Sequence, residues 1–179
     1  MLSPHFIGCP NISNRLAGEK LIRYTSRLNM ANVPGWDEYY LNICAAVAAR
    51  SKDPNTHVGC VIAGPAHEIR STGYNSLPRG IRDDIPERLE RPTKYLWMEH
   101  AERNAIYNAA RCGTPLEGCT IYIALMPCMD CARAIVQAGI RQVVVSADRM
   151  RAYSSEQYNE HFRLVEVLFE EAGVKVRQA

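Results

Sequence analysis

Two short stretches of this chain hold residue types that bind metals and move protons. One contains His100 followed two positions later by Glu102, and the other contains Cys128 and Cys131 directly after Pro127. Imidazole nitrogens and thiolate sulfurs are common zinc ligands, and cysteines three positions apart on a first helical turn direct both sulfurs to one side. A helix N-terminus also favours the thiolate form of cysteine. The spacing therefore predicts a zinc site formed by His100, Cys128 and Cys131.

The carboxylate of Glu102 indicates that this zinc site is catalytic. Three protein ligands leave the fourth position of tetrahedral zinc open to water, and zinc lowers the pKa of that water from about 15.7 toward about 7. Glu102 is then predicted to take the water proton and to return it to a leaving group. Positions i and i+2 of a helix do not face each other, so this role requires His100 to lie at the very start of its helix.

Two other interpretations of these residues remain open at this point. A Cys-x-x-Cys pair in a strand–helix–strand context is also typical of redox centres. A closed structural zinc site would need one more ligand, and four further side chains could provide it: His57, Cys60, Cys112 and Cys119. The occurrence of both motifs in order, each on a helix that follows a predicted strand, favours the three-ligand site.

The composition is that of one globular domain without membrane spans. Of the 179 residues, 47% are hydrophobic and 22% are charged, and the formal net charge is +2. This balance does not favour nucleic-acid binding through bulk charge, and no apolar run approaches the roughly 18 residues of a membrane span. Nothing at the N-terminus resembles a secretory signal, so the seven cysteines predict a reducing compartment, the cytoplasm.

Residues 1–35 differ in composition from the rest and are predicted to form an N-terminal extension. They are rich in proline, glycine and asparagine, and their charged residues are mostly basic. An Arg-rich, acid-poor segment is also typical of a transit peptide. We expect instead an ordered arm that packs on the domain or on a neighbouring subunit. Residues 36–179 are predicted to form the zinc-binding domain.

Hydrophobic periodicity predicts alternating helices and strands from residue 36 onward. Helices are predicted over 37–50, 100–112, 127–139 and 155–172, and strands over 58–63, 68–74, 120–125, 142–146 and 174–176. The first two strands should form an antiparallel hairpin, whereas the later strands, which alternate with helices, should run parallel. The pattern predicts an α/β fold with a mixed sheet. Residues 75–98 form a long irregular segment of the kind that often carries function.

The zinc motifs and several longer stretches resemble the cytidine/deoxycytidylate deaminase superfamily, and more closely the deoxycytidylate (dCMP) deaminase family. Histidine-x-glutamate followed by Pro-Cys-x-x-Cys is the zinc-deaminase motif, and it identifies only the superfamily. The dCMP deaminase family is indicated by five further stretches: SKDPNTHVG (51–59), GYNSLPRG (73–80), DD (83–84), KY (94–95) and CARAIVQAGI (131–140). The resemblance covers about four-fifths of the chain, from residue 36 to the C-terminus.

This resemblance implies a three-layer α/β/α sandwich around a five-stranded mixed sheet, with one zinc per subunit. It implies hydrolysis of dCMP to dUMP and ammonia, which would supply dUMP for thymidylate synthesis. By the same resemblance, His100, Cys128 and Cys131 hold the zinc, Glu102 shuttles protons, and Asn75 lies against the sugar or the base. Members of the family are commonly hexamers that dCTP activates and dTTP inhibits, so a homo-oligomer with these effectors is expected.

A nucleotide substrate also needs basic side chains for its phosphate. Lys52, Arg79 and Arg82 lie in predicted loops and are candidates, since arginine suits bidentate contacts with phosphate. Tyr153, just after the fourth strand, is a candidate stacking partner for a pyrimidine. Ser76 occupies the position at which the family usually has glycine. Glycine permits positive φ and close backbone approach, so the serine argues against regulation by these effectors.

Three functional classes follow from these observations. We favour a deaminase of a free nucleotide, with another nucleotide, a nucleoside or a base as the alternative substrate. A tRNA-editing deaminase would need a basic groove for the strand, which the balanced charge does not indicate. A non-catalytic zinc-containing nucleotide-binding module is the third class, and the presence of Glu102 argues against it.

Overall fold

Five strands form one mixed sheet in the computed structural model, which describes residues 33–151 and 156–179, the side chains of 156–159 excepted. The strands are β1 (Gly59–Ala63), β2 (Ile69–Tyr74), β3 (Thr120–Ile123), β4 (Gln142–Val145) and β5 (Lys175–Gln178). Their order across the sheet is β2-β1-β3-β4-β5. Strand β1 runs antiparallel to β2 and β3, whereas β3, β4 and β5 are parallel. The predicted hairpin and the predicted parallel half are both confirmed.

Six α-helices are present within the described residues. They are α1 (Trp36–Ala48), α2 (Lys94–Trp97), α3 (Ala101–Cys112), α4 (Met129–Gln137), α5 (Ala147–Arg151) and α6 (Glu156–Glu171). The long helices lie close to their predicted positions, and α2 is a short addition inside the irregular segment. None of the helices in these ranges combines the length and apolar character needed to cross a membrane. The predicted N-terminal extension lies outside the described residues except for positions 33–35.

The central strands separate two hydrophobic cores. Val61 of β1 packs with Tyr40 and Cys44 of α1 on one face of the sheet. Its neighbour Ile62 packs on the opposite face, among side chains from α3, α4 and α6. This alternation is the two-residue period of a strand, and it covers the sheet with helices on both sides. The structure thus confirms the three-layer α/β/α architecture.

Helix α3 packs directly on the backbone of β2 at Gly73. A Cβ atom at this position would lie 2.3 Å from the backbone nitrogen of Ala105 and 2.4 Å from the carbonyl oxygen of Ala101. Only glycine permits such a close approach of helix and strand. The contact fixes the first turn of α3 against the sheet, and with it the motif that contains His100 and Glu102.

Candidate active site

His100 and Cys128 occupy equivalent positions, each at the N-cap of a helix. His100 precedes α3 with φ −75° and ψ 155°, and Cys128 precedes α4 with φ −72° and ψ 168°. Both residues therefore have extended backbones, while Glu102 and Cys131 lie in the first turns of the helices that follow. His100 is thus at the very start of its helix, which is the condition that the predicted role of Glu102 requires.

The three candidate ligand atoms lie close together. His100 Nδ1 is 3.5 Å from Cys128 Sγ and 3.6 Å from Cys131 Sγ, and all three ligand atoms lie within 4.8 Å of one another. A tetrahedral zinc ion, with bonds of about 2.0 Å to nitrogen and about 2.3 Å to sulfur, separates such atoms by about 3.5 Å. The cluster therefore has the donor set and the dimensions that fit zinc.

Among the residues that the structure describes, no fourth protein ligand joins this cluster. In residues 33–151 and 156–179, the only group of three or more His, Cys, Asp or Glu side chains able to share a metal is this one. Cys60 and Cys119, considered above for a closed site, are buried in the hydrophobic core. The arrangement therefore corresponds to an open, three-ligand zinc site rather than to a closed structural one.

Hydrogen bonds within the cluster polarise the two thiols. The pKa of Cys128 is lowered to about 3, chiefly by a hydrogen bond from the Cys131 thiol, with a further contribution from His100. The pKa of Cys131 is raised because it donates that hydrogen bond and is buried. The contact with Cys128 raises the pKa of His100. Negative charge thus lies on the Cys128 sulfur, a soft donor that suits a zinc ion.

Glu102 is buried beside the cluster. This residue is 6% exposed and lines the same cavity as His100 and Cys128. Burial raises the pKa of Glu102, and the charge of His100 acts in the opposite direction. A carboxylate whose pKa is raised toward neutrality is suited to accept and return a proton.

The cluster opens into a cavity of about 640 Å³. This volume is within the range of small-molecule sites and accommodates a nucleotide. Its walls come from residues 53–58, Asn75, residues 91–103, residues 125–130 and residues 161–162. The irregular segment therefore supplies one wall of the cavity.

Asn75 lies in this cavity wall, but its amide group is already engaged. Its Nδ2 donates to the carbonyl oxygen of Thr56 at 2.8 Å and to Asp53 Oδ2 at 3.4 Å. Its Oδ1 accepts a hydrogen bond from the backbone nitrogen of Val58 at 2.8 Å. Both N–H donors are thus in use, and Oδ1 retains one lone pair. Any further contact of this side chain has to be with a hydrogen-bond donor.

Sequence reasoning did not single out the buried ion pair between Lys94 and Asp53. Lys94 Nζ lies 2.7 Å and 3.0 Å from the two carboxylate oxygens of Asp53, and the two side chains are only 6% and 4% exposed. Burial tends to raise the pKa of Asp53, but the contacts with Lys94 and with backbone amides hold it below its usual value. The only available signal was the position of both residues within stretches that resemble the family.

Arg103 is a second cation that the sequence did not single out. Its Nε donates to Glu99 at 2.6 Å, and its Nη1 lies 3.7 Å from an Asp130 oxygen and 3.8 Å from Cys131 Sγ. The side chain is 15% exposed. Glu99 holds Arg103 in place, so that its positive charge lies beside the sulfur of a zinc ligand.

The structure does not bring the three predicted phosphate-binding residues to the zinc cavity. Lys52 pairs with Asp83 at 2.7 Å, and Arg79 donates to Asn108 at 2.7 Å. Both line a separate cavity of about 270 Å³, called the second cavity here, together with Tyr74, Ser76 and neighbouring residues. Arg82, which pairs with Asp84 at 3.0 Å, lines neither cavity. Tyr153 lies outside the described residues.

Comparison with known proteins now identifies the family. The family described as "Cytidine and deoxycytidylate deaminase zinc-binding region" matches residues 34–147, which include all three cluster residues. Deoxycytidylate deaminase from Homo sapiens is 38% identical over 148 residues, covering 80% of this chain and 79% of the relative. Probable deoxycytidylate deaminase from Caenorhabditis elegans is 39% identical, covering 70% of this chain and 65% of the relative.

The chain belongs to the cytidine and deoxycytidylate deaminase family. Its fold is shared with dCMP deaminase from the cyanophage S-TIM5, solved with dCMP and dUMP, at a TM-score of 0.62 and 21% identity, covering 79% of this chain and 95% of that chain. The predicted family, the predicted fold class and zinc as the cofactor are therefore confirmed. Within this deaminase family, the cluster of His100, Cys128 and Cys131 lies in the zinc-binding region.

Proposed function

We propose that this chain is a zinc-dependent deaminase that hydrolyses dCMP to dUMP and ammonia. The observation that carries the proposal is the juxtaposition of a three-ligand zinc cluster and a buried carboxylate, Glu102, in one nucleotide-sized cavity. The identity of 38% with deoxycytidylate deaminases over most of both chains supports dCMP as the substrate. The dUMP formed would serve thymidylate synthesis.

The proposed mechanism assigns separate tasks to the ligands and to Glu102. His100, Cys128 and Cys131 would hold zinc, which when bound makes a water molecule nucleophilic near neutral pH. The water oxygen becomes bonded to C4 of the cytosine ring, and the bond from C4 to the amino nitrogen breaks. Water supplies two protons, of which one ends on ring N3 and the other on the departing ammonia. Glu102, buried beside the cluster, accepts and delivers these protons.

Asn75 is proposed to orient the sugar. Its two N–H donors are occupied by Thr56 and Asp53, whereas its Oδ1 keeps one lone pair. The side chain is therefore suited to accept a hydrogen bond from a sugar hydroxyl rather than to donate one to the base. Asn75 is also 5% exposed and held on three sides, which makes it a rigid contact.

The substrate is tested by measuring ammonia release from a panel of compounds with the zinc-loaded protein. The panel contains dCMP, CMP, deoxycytidine, guanine and a tRNA anticodon stem. We expect dCMP to have the highest kcat/KM. Preferred turnover of deoxycytidine, guanine or the tRNA stem would assign a different substrate within the superfamily. Absence of turnover with every compound, at full zinc occupancy, would favour a non-catalytic nucleotide-binding module.

The second cavity is proposed as the site of the effectors dCTP and dTTP. It is lined by Lys52, Arg79 and Tyr74, which provide cations for a triphosphate and an aromatic ring. His67 is the only non-glycine residue with positive φ in the described part of the chain, so Ser76 fits without the backbone freedom of glycine. We expect dCTP to lower KM for dCMP, and Arg79→Ala to weaken this effect.

The remaining proposals concern assembly and location. Large apolar side chains remain exposed on the described surface, among them Leu96 at 88% and Tyr95 at 63%, which supports a homo-oligomer, a hexamer by family resemblance. Sedimentation velocity would distinguish a monomer from such an assembly. Location in the cytoplasm is proposed because the cysteine ligands must stay reduced to bind zinc.

A further inference from the structure

A dCMP substrate carries a phosphate that the catalytic cavity has to recognise. Phosphate binding in proteins relies on cationic side chains that are free to form charge-assisted hydrogen bonds. Two of the residues predicted to bind this phosphate, Lys52 and Arg79, line the second cavity. The candidates for the phosphate contact are therefore the basic side chains that line the zinc cavity.

Most of these basic side chains already have partners. Lys94 is buried and contacts both carboxylate oxygens of Asp53. Arg103 is held by Glu99 and lies near a zinc-ligand sulfur. His161 accepts a hydrogen bond through Nε2 from the backbone nitrogen of Met129 at 3.2 Å. Moving Lys94 or Arg103 onto a phosphate would leave a carboxylate without its cation.

Arg91 is different from these side chains. It lines the zinc cavity and has no carboxylate partner among the residues that the structure describes. Its guanidinium carbon lies 5.9 Å from the ring centre of Tyr95, and the side chain is exposed at the cavity wall. An exposed guanidinium retains its hydrogen-bond donors for a ligand and offers the planar fork that matches phosphate.

We propose that Arg91 binds the 5′-phosphate of the substrate and thereby selects nucleotides over nucleosides. This inference rests on the proposed dCMP deaminase function and adds the residue that determines its specificity. The zinc cluster holds the base end of the substrate, and Arg91 holds the phosphate end of the same cavity. A charge-assisted hydrogen bond to phosphate changes affinity by roughly tenfold or more.

The test compares dCMP with deoxycytidine in the unmodified protein, in Arg91→Ala and in Arg91→Lys. The preference for dCMP, expressed as the ratio of the two kcat/KM values, should fall at least tenfold in Arg91→Ala. Arg91→Lys should recover part of it, because lysine keeps the charge and loses the fork. Arg88→Ala is the matched control: Arg88 lies in the same segment, over the Trp97 ring, and does not line the cavity.

Binding of the products gives a second readout that does not depend on turnover. Calorimetry of the zinc-loaded protein should show that Arg91→Ala weakens the binding of dUMP at least tenfold more than it weakens the binding of deoxyuridine. Full retention of the dCMP preference and of dUMP affinity in Arg91→Ala would overturn the role of Arg91 while leaving dCMP deamination intact. Equal kcat/KM for dCMP and deoxycytidine in the unmodified protein would instead overturn the proposed nucleotide substrate itself.

Discussion

The two ends of the catalytic cavity are constructed in different ways. At the zinc end, His100 and Cys128 are the N-caps of two helices, and Glu102 is 6% exposed beside them. At the proposed phosphate end, Arg91 and Tyr95 line the cavity wall, are exposed and come from the irregular segment 75–98. The zinc end is held by regular helices that pack on the sheet, whereas the proposed phosphate end belongs to the long connection 75–98.

This difference separates the reaction from the choice of substrate. Metal binding and proton transfer need side chains fixed to within a fraction of an ångström, which helix starts on a packed sheet provide. Recognition of a phosphate needs only a cation that can reach it, which a loop can provide. Substitutions at the zinc end should therefore abolish turnover of every substrate. Substitutions at the Arg91 end should change the preference among substrates.

The largest expected effect is that of Glu102→Gln. Removing the buried carboxylate beside the zinc cluster should lower kcat for dCMP and for deoxycytidine alike, by about 10³-fold or more, because both proton transfers are lost. Zinc content should stay near one ion per chain, since Glu102 is not a ligand in the proposed site. The measurements are steady-state kinetics and metal analysis on the same preparation.

A matched control for this variant is Glu117→Gln, which alters an exposed carboxylate that pairs with Arg141 on the surface. It should retain both zinc and turnover. Loss of zinc from Glu102→Gln would show that this carboxylate holds the metal, and the division between ligands and proton shuttle would then be wrong.

Substitution of a zinc ligand should remove the metal as well as the activity. Cys128→Ser and Cys131→Ser are expected to purify with little zinc and with reduced thermal stability, because metal binding contributes to folding. Cys44→Ala alters a cysteine of the same type that lies in the hydrophobic core on the opposite face of the sheet, and it should keep its zinc. Full zinc and full turnover in either serine variant would refute the three-ligand site.

A smaller effect, on stability, is expected from the ion pair in the cavity wall. Lys94→Met leaves Asp53 buried without its cation, and loss of one partner from a buried pair costs about 3–5 kcal/mol. Lys52→Met breaks an exposed pair with Asp83 and should cost less than about 1 kcal/mol. Chemical denaturation of both variants measures the two losses of unfolding free energy. Similar losses would show that burial of the ion pair does not determine its contribution to stability.

The cost of Lys94→Met should also depend on pH. In the unmodified protein the folded-state pKa of Asp53 is lowered, so its stabilising effect is present above the unfolded-state pKa of about 3.9 and is lost as pH falls through the lower folded value. Without Lys94, burial should raise the folded-state pKa instead. The difference in unfolding free energy between variant and unmodified protein should therefore be larger at pH 8 than at pH 5, as denaturation curves at both values would show.

The zinc end could be predicted from sequence because its residues are local. Glu102 follows His100 by two positions, and Cys131 follows Cys128 by three, so an N-cap and the first turn of the helix that follows determine how each pair is placed. The helices and strands around them were also predictable from hydrophobic periodicity, which is why the hairpin and the parallel strands could be expected.

The walls of the cavity could not be predicted in the same way. Asp53 and Lys94 are 41 positions apart, and only the folded chain shows that they form a pair. Lys52 and Arg79 were predicted as phosphate ligands because they lie in loops, but in the structure both line the second cavity. There Asp83 contacts Lys52, and Asn108 contacts Arg79. Long-range packing decides which of many charged loop residues lines a site.

The central claim is that zinc held by His100, Cys128 and Cys131 makes this chain a dCMP deaminase. Its most direct test is dCMP turnover, under reducing conditions, before and after removal of the metal with a chelator. The metal-free protein should be inactive, and one equivalent of zinc per chain should restore release of one dUMP and one ammonia per dCMP. Undiminished turnover by the metal-free protein, or activity that requires a thiol oxidant in place of zinc, would contradict this claim.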